Sequence, residues 1–327
     1  MAELLKAGMI GCGDYLRWEI DDLNSNRYLK VKSTFDLDQS KSRKIAGKIN
    51  ANPVESAEEI FEDPELRVVM IFTPPWARKD LFSKAVETGK HIITTKPFGS
   101  NLKDAQELYG MVKDKLNCVV YYGRTGDANV EMIKKILDSG EIGHLALYKE
   151  DWLHHYPTWN DWATDPEKNG GPFMDAMVHN LNKARYLIGS QVKNINYFSD
   201  NFAQALKCRD TEFMKLDFEN GSASYLFITW AADLEVFDPK GNDRVHYGIQ
   251  QLITSEGWYI TEEEEDGKPL IKAVKEKEIK SWTVDPLPYT KYDLFSINLQ
   301  EGLAQPSDAS DAIIDMQIMD AAVKSLP

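Results

Sequence analysis

The sequence predicts an α/β chain of two domains: a doubly wound, Rossmann-type parallel sheet first, then an α/β domain built on a large, mostly antiparallel open sheet. Three observations predict it. Through residue 122, short β-rich runs alternate with helical patterns, which is the βαβ rhythm of a parallel sheet. Beyond Gly123, strand-like segments follow one another with few helices between them, as in an antiparallel sheet. The length, 327 residues, holds about two domains at roughly 150 residues each. We therefore expect one domain over residues 1–122 and a second over 123–327.

The expected strands of the first domain are 4–10, 28–35, 66–72, 91–95 and 118–122, with a helix after each of the first four. Val68-Val69-Met70-Ile71-Phe72 is apolar at every position, which suits a strand covered on both faces. In the second domain a helix over 129–139 stops at Gly140 and turns through Gly140-Glu141-Ile142-Gly143 into a strand at 145–152. A second helix covers 172–188, with Pro172 suited to its first turn and Gly189 to its end. Strands are expected at 192–198, 211–218, 223–230, 247–253 and 258–261. The acidic run 262–266, closed by Gly267, reads as a solvated hairpin tip because Asp-Gly is a strong turn signal. A last helix, 308–325, is expected to pack back toward the first domain.

Charge and composition exclude several function classes. The net charge is −14 and the pI about 5.0, with no basic face, so no nucleic-acid partner is expected. Cys12, Cys118 and Cys208 form neither a Cys-x-x-Cys pair nor a zinc spacing, which points to a reducing compartment and no metal. The N-terminus lacks a basic leader with a long apolar run, and no stretch approaches 18 apolar residues. We expect a cytoplasmic protein with no membrane partner.

The chemistry-bearing signals come next. Gly11-Cys12-Gly13 follows the first strand directly, with Asp14 and Tyr15 opening the next helical pattern. A side-chain-free strand-to-helix turn lets backbone amides and a helix N-terminus approach a pyrophosphate. Leu16 fills the place of a third glycine, and Asp14 is also suited to capping the helix. Asp36 ends the second strand, where a carboxylate accepts ribose hydroxyls and repels the extra phosphate of NADP, so NAD is the expected cofactor and NADP is disfavoured. Asp175 and His179 stand four apart on an expected helix, so the carboxylate can orient an imidazole that takes a hydroxyl proton. Such a pair taken alone also suits a surface contact. Lys96-Pro97 follows the strand at 91–95 at its carboxyl end, where an ammonium can hold a reacting oxygen.

Together with Thr73-Pro74-Pro75, Gly89-Lys90-His91, Gly140-Glu141-Ile142-Gly143 and the run from Gly170 to His179, these motifs resemble the Gfo/Idh/MocA oxidoreductases in order and spacing across nearly the whole chain. The resemblance implies NAD(P)-dependent hydride transfer on sugars, polyols or related compounds. It implies catalytic roles for Lys96, Asp175 and His179, and cofactor contacts at Gly11, Gly13, Asp36, Thr73, Pro74 and Lys96, with Thr95 near the nicotinamide; Cys12, Asp14 and Tyr15 complete the turn. It also implies a homo-oligomer, dimer or tetramer, through the C-terminal sheet. Departures from the family pattern are Leu16, Pro75 for an asparagine, Arg78 for a histidine, Thr95 for a glutamate, Ala176 for a glycine and Asn182 for an aspartate.

The segment from Trp152 to Trp162 is dense in aromatic residues. Aromatic faces stack on sugar C–H faces and polar tips bind hydroxyls, so Trp152, His155, Trp162 and Asn182 are candidate contacts to a small-molecule substrate. The same aromatics also suit a domain or oligomer contact. The leading expectation is a secondary-alcohol dehydrogenase with His179 as acid and base. The rivals are a non-catalytic nucleotide or sugar sensor on the same fold, and a lyase or hydrolase that uses a tightly held NAD.

Overall fold

The computed structural model describes residues 3–154, 162–168, 170–232 and 247–326. Two compact units divide the chain: residues 1–126 with 287–316, and residues 127–286 with 317–327. The segment 287–316 thus belongs to the first unit, where the reading from sequence put it in the second.

In the first unit β1 (Leu5–Ile10) runs through a 3-10 turn at Asp14–Trp18 into α1 (Ile20–Ser25). There follow β2 (Leu29–Phe35), α2 (Gln39–Ile49), β3 (Asn52–Pro53), α3 (Ala57–Glu62), β4 (Val68–Ile71), α4 (Lys79–Glu87), β5 (His91–Thr95), α5 (Leu102–Val112) and β6 (Cys118–Tyr121). The strands lie parallel in the order β3-β2-β1-β4-β5-β6. All four residues of β4 are fully buried, as an apolar run with helices on both faces demands. Helix starts carry the expected caps: Asp38 accepts from the Ser40 amide before α2, and Ser56 with Glu59 forms a reciprocal capping box at α3. Strand order reverses at β1, which has β2 on one side and β4 on the other. At such a reversal the connecting loops part and leave a crevice beyond the carboxyl ends of the strands.

The second unit holds α6 (Ala128–Asp138), β7 (Leu145–Leu153), a π-helical turn at Phe173–Met177 continued by α7 (Val178–Ile188), and then β8 (Val192–Asp200), β9 (Thr211–Phe218), β10 (Ala223–Thr229), β11 (Tyr247–Thr254), β12 (Tyr259–Glu265), β13 (Lys268–Lys275) and β14 (Glu278–Thr283). The described strands form one sheet in the order β14-β13-β12-β11-β7-β10-β9-β8. Every pairing is antiparallel except β7 with β10. The acidic run does not form the hairpin tip as a whole. Glu262 to Glu265 extend β12, and only Asp266-Gly267, both at positive φ, make the turn. Lys272 on β13 meets Glu263 at 2.7 Å, so cross-strand pairing accommodates charges that read as loop in isolation.

The chain closes with α8 (Lys291–Glu301) and α9 (Ala309–Lys324), and the division between the units runs through α9 after Met316. Helix α8 was not expected from the sequence. Thr290 and Asp293 cap it, and Asp293 Oδ1 also accepts from the amides of Arg27 and Tyr28 before β2. Lys291 and Tyr292 at its first turn are buried, and both bond the buried carboxylate of Glu19, the lysine at 2.9 Å. Lys291 Nζ also stands 5.4 Å from the ring centroid of Tyr121, whose hydroxyl donates to the Lys291 carbonyl. Among the described residues no helix is long and apolar enough to cross a membrane.

Removing the cation of this buried pair strands the Glu19 carboxylate. We expect K291M to cost about 3 kcal/mol or more in a denaturant titration, and E19Q/K291M to recover part of that loss. A K291M midpoint equal to wild type would show that the pair contributes nothing.

Candidate functional site

The glycine turn after β1 is held from two sides. Gly11 has φ +95°, and a Cβ on it would stand 2.7 Å from both the carbonyl carbon and oxygen of Phe72 and 3.0 Å from the Thr73 nitrogen, so only glycine permits this approach. Its amide donates to the Phe35 carbonyl at 2.9 Å, and the next amide, of Cys12, donates to Asp36 Oδ2 at 2.7 Å. The other oxygen of Asp36 accepts from the Asp38 amide at 2.9 Å. Gly11, Cys12, Asp36 and Thr73 are thereby brought together at the carboxyl ends of β1, β2 and β4. Burial, and secondarily Asp36, pushes the Cys12 thiol up to about 12, so it remains a neutral, packed side chain. A Cβ on Gly13 would meet nothing, and that side of the turn is open. Thr73 Oγ1 is buried without a hydrogen-bond partner. A glycine-flanked turn whose one side chain, Cys12, is buried, an open face at Gly13 and an unanswered hydroxyl fit the phosphates of a dinucleotide.

The helix expected to start at Asp14 is instead the 3-10 turn, with Gly13 as its N-cap and an exposed Asp14 as its first residue, so Asp14 is not the cap. Leu16 accounts for the change. A glycine at that place lets a helix lie close to β1, whereas Leu16 fills the space itself and is fully buried in the core with Met9, Leu23, Val31 and Phe72. Tyr15 packs its ring 5.0 Å from Phe72, and its hydroxyl faces Glu19 and Thr95. Burial, then the Glu19 charge, holds that phenol well above its ordinary pKa. Thr95, where the family pattern has a glutamate, donates its hydroxyl to the Tyr121 carbonyl at 3.0 Å.

The loops leaving β4 and β5 share one guanidinium. Arg78 Nε and Nη2 donate to the Thr73 carbonyl at 3.1 and 3.0 Å, and Nη1 donates to the carbonyls of Thr95 and Pro97 at 2.8 and 2.5 Å. Pro74 is exposed and Pro75 buried. Lys96 is half-buried directly after β5, and its amide donates to the Tyr121 carbonyl at 3.2 Å.

Asp175, His179 and Asn182 belong to the second unit. Asp175 lies in the π-helical turn and His179 in the first turn of α7, so the pair spans a change of helical type rather than one regular α-helix. Both are half-buried, while Asn182 is almost wholly enclosed. Two buried carboxylates on the sheet support this helix. Glu150 on β7 bonds Trp152 Nε1 at 3.0 Å and pairs with Lys183 of α7 at 3.3 Å. Glu212 on β9 accepts from the Phe173 amide at the start of the π-helical turn and from the Tyr197 hydroxyl. Sequence reasoning missed Glu212, although it left a signal: it is the one acid on the face of β9 that otherwise carries Met214, Leu216 and Phe218. Trp152 stacks on His154 with centroids 5.9 Å apart. Trp162 is half-buried, and His155 lies outside the described residues.

Residues 5–123 match the model of an oxidoreductase family with an NAD-binding Rossmann fold, and residues 130–241 match the GFO/IDH/MocA C-terminal domain. The chain belongs to the Gfo/Idh/MocA oxidoreductase family. Among its relatives, the uncharacterized oxidoreductase YrbE of Bacillus subtilis is 27% identical over 255 residues, 74% of each chain. The scyllo-inositol 2-dehydrogenase (NAD(+)) of the same organism is 28% identical over 178 residues, 52% of this chain and 50% of that one. A solved levoglucosan dehydrogenase, in complex with NADH and L-sorbose, superposes with a TM-score of 0.81 at 20% identity, covering 99% of this chain and 96% of that chain. The parallel sheet and the large, mostly antiparallel sheet are those of the Gfo/Idh/MocA fold.

In this family member Glu212 makes stability depend on pH. The side chain is buried, and desolvation pushes its pKa up to about 7 from 4.5, against the pull of the Tyr197 and Phe173 donors. A carboxyl raised on folding stabilises fully below its unfolded pKa, and that contribution, about 3 kcal/mol, disappears as pH rises through about 7. Scanning calorimetry should therefore show wild-type Tm falling from about pH 5 to about pH 8 more steeply than that of E212Q, and parallel curves would contradict the assignment.

Proposed function

We propose that the chain is an NAD-dependent dehydrogenase that moves a hydride between nicotinamide and a secondary hydroxyl or carbonyl of a sugar or cyclic polyol. The observation that carries this reading is the retention of Lys96 at the end of β5 and of Asp175 and His179 along the α7 segment, in a chain whose relatives include a named inositol dehydrogenase. NAD is favoured over NADP because Asp36 stands at the end of β2 and Leu37 beside it, 95% exposed, offers no cation to an extra phosphate. Each Asp36 oxygen accepts one amide and keeps a lone pair for a ribose hydroxyl. Gly11, Cys12, Gly13, Asp14 and Tyr15 would hold the dinucleotide's phosphates, with Thr73, Pro74, Thr95 and Lys96 toward its nicotinamide.

When bound, the nicotinamide supplies the hydride acceptor. The work of this chain is to place the substrate and move its proton. Lys96 hydrogen-bonds the reacting oxygen and favours its alkoxide-like state. His179 takes the hydroxyl proton, and Asp175 orients the imidazole and stabilises its protonated form. Trp152 already donates its indole N–H to Glu150, so it offers a sugar its ring face alone, together with Trp162. Asn182 and His155 would serve hydroxyls.

The face of the large sheet opposite α7 supports the assembly reading, homo-oligomerisation through this sheet. Phe198, Leu153, Ile249, Tyr259 and Ile279 share that face by strand register, and each is substantially exposed. We expect wild type to sediment as a dimer or tetramer and I249K to shift it toward monomer; a wild-type monomer would end this reading.

A screen of sugars and polyols with NAD and NADP, followed by absorbance of the reduced cofactor, tests the activity. With an active substrate, H179A should lower kcat by about 100-fold or more and leave NADH affinity nearly unchanged. Loss of NADH binding in H179A would remove His179 from the acid–base role. NADH binding without turnover on any substrate would favour a sensor.

A further inference from the structure

Among the described residues, Arg78 is a buried cation with no anion to meet. Its side chain is 1% exposed, and its fork donates only to main-chain carbonyls, those of Thr73, Thr95, Pro97 and, more weakly, Phe98 at 3.4 Å. Among the described residues no carboxylate forms an ion pair with it. Cys118, Tyr122 and Tyr15 face it, none of them a carboxylate, and burial pushes the pKa values of Cys118 and Tyr15 up, so these two stay protonated and neutral. Burial also brings Arg78 itself down, but only to about 10, and the guanidinium is charged at neutral pH.

The carbonyls it binds belong to the loops leaving the carboxyl ends of β4 and β5. Thr73 carries the partnerless hydroxyl, and Thr95 and Pro97 flank Lys96. The oxidised nicotinamide ring is a cation and the reduced ring is neutral. One fork therefore acts on that difference twice. Its charge opposes a second cation in a medium of low dielectric, and it occupies the carbonyl lone pairs that would otherwise solvate a cationic ring. The geometry points to Arg78 as the residue that sets the preference of the nucleotide site between the two oxidation states, favouring NADH over NAD+. This rests on the reading of the first unit as a nicotinamide dinucleotide site. It goes beyond that reading by assigning redox-state selectivity to a side chain that stands where the family pattern has a histidine.

The test uses the full chain and requires no substrate. Dissociation constants for NADH, by nucleotide fluorescence, and for NAD+, by calorimetry, are measured in wild type, R78K and R78Q. Wild type should bind NADH about tenfold or more tighter than NAD+, the scale of a partly screened charge interaction. R78Q should shrink that ratio severalfold, while R78K, which keeps the charge and loses the fork, should retain most of it. A merely structural arginine would weaken both nucleotides by one factor, and an unchanged ratio in R78Q would overturn the proposal. So would a wild-type ratio near one, which needs no variant to fold. Equal binding of both nucleotides by wild type would leave the dinucleotide reading standing, whereas binding of neither would remove both.

Discussion

The first unit depends on one steric allowance. Where strand order reverses at β1, the chain must leave the sheet between the ends of β2 and β4, and Gly11 does so with its α-carbon against the Phe72 carbonyl. Any side chain at that place would push the two strand ends apart. Because none is there, the Gly11 amide reaches Phe35, the Cys12 amide reaches Asp36, and Thr73 is presented beside an open turn. The close approach that packs the unit is also what leaves room for a ligand.

Within each unit, elements that carry candidate residues are tied down by buried polar groups. Arg78 joins the loops of Thr73 and Lys96; Glu19 and Lys291 fasten α8 to the turn that bears Tyr15; Glu212 holds the start of the segment that bears Asp175, and Glu150 pairs with α7 beside His179. Burying each of these groups costs desolvation, which is offset only when its hydrogen bonds are complete. Such groups fix geometry more than they add stability, because an apolar core tolerates small shifts and a fork bonded to three carbonyls does not.

The departures from the family pattern become intelligible through the same packing. Leu16 exchanges a glycine-supported helix for a 3-10 turn and a filled core. Thr95 gives up a carboxylate and gains a bond to the Tyr121 carbonyl, and Arg78 takes over loop contacts with a longer, charged side chain. These substitutions have local structural employment, so they do not by themselves argue for a chain that has lost its chemistry.

Much of the fold was legible from periodicity. Five of the six strands described in the first unit lie within two residues of their expected ends, because buried parallel strands are mostly apolar runs, whereas the two-residue β3 at the sheet edge was not expected. Helix α8 was not legible, since Lys291 and Asp293 read as surface residues until their partners Glu19 and the Arg27 amide are brought to them from over 260 positions away. β13 and β14 were missed for a related reason: their residues pair across the sheet, and the charge of Lys272 on β13 is answered by Glu263 on β12 and that of Lys280 on β14 by the distant Glu141. The sequence by itself determined the βαβ order, the glycine turn, the acid at the end of β2 and the spacing of Lys96, Asp175 and His179, all of which are local. Only the tertiary structure decided that Leu16 is core, that the Asp175 segment starts as a π-helical turn pinned by Glu212, and that Arg78 is buried with no carboxylate paired to it among the described residues. Each of those depends on which distant carbonyl, carboxylate or strand face comes within bonding distance, and no local pattern records that.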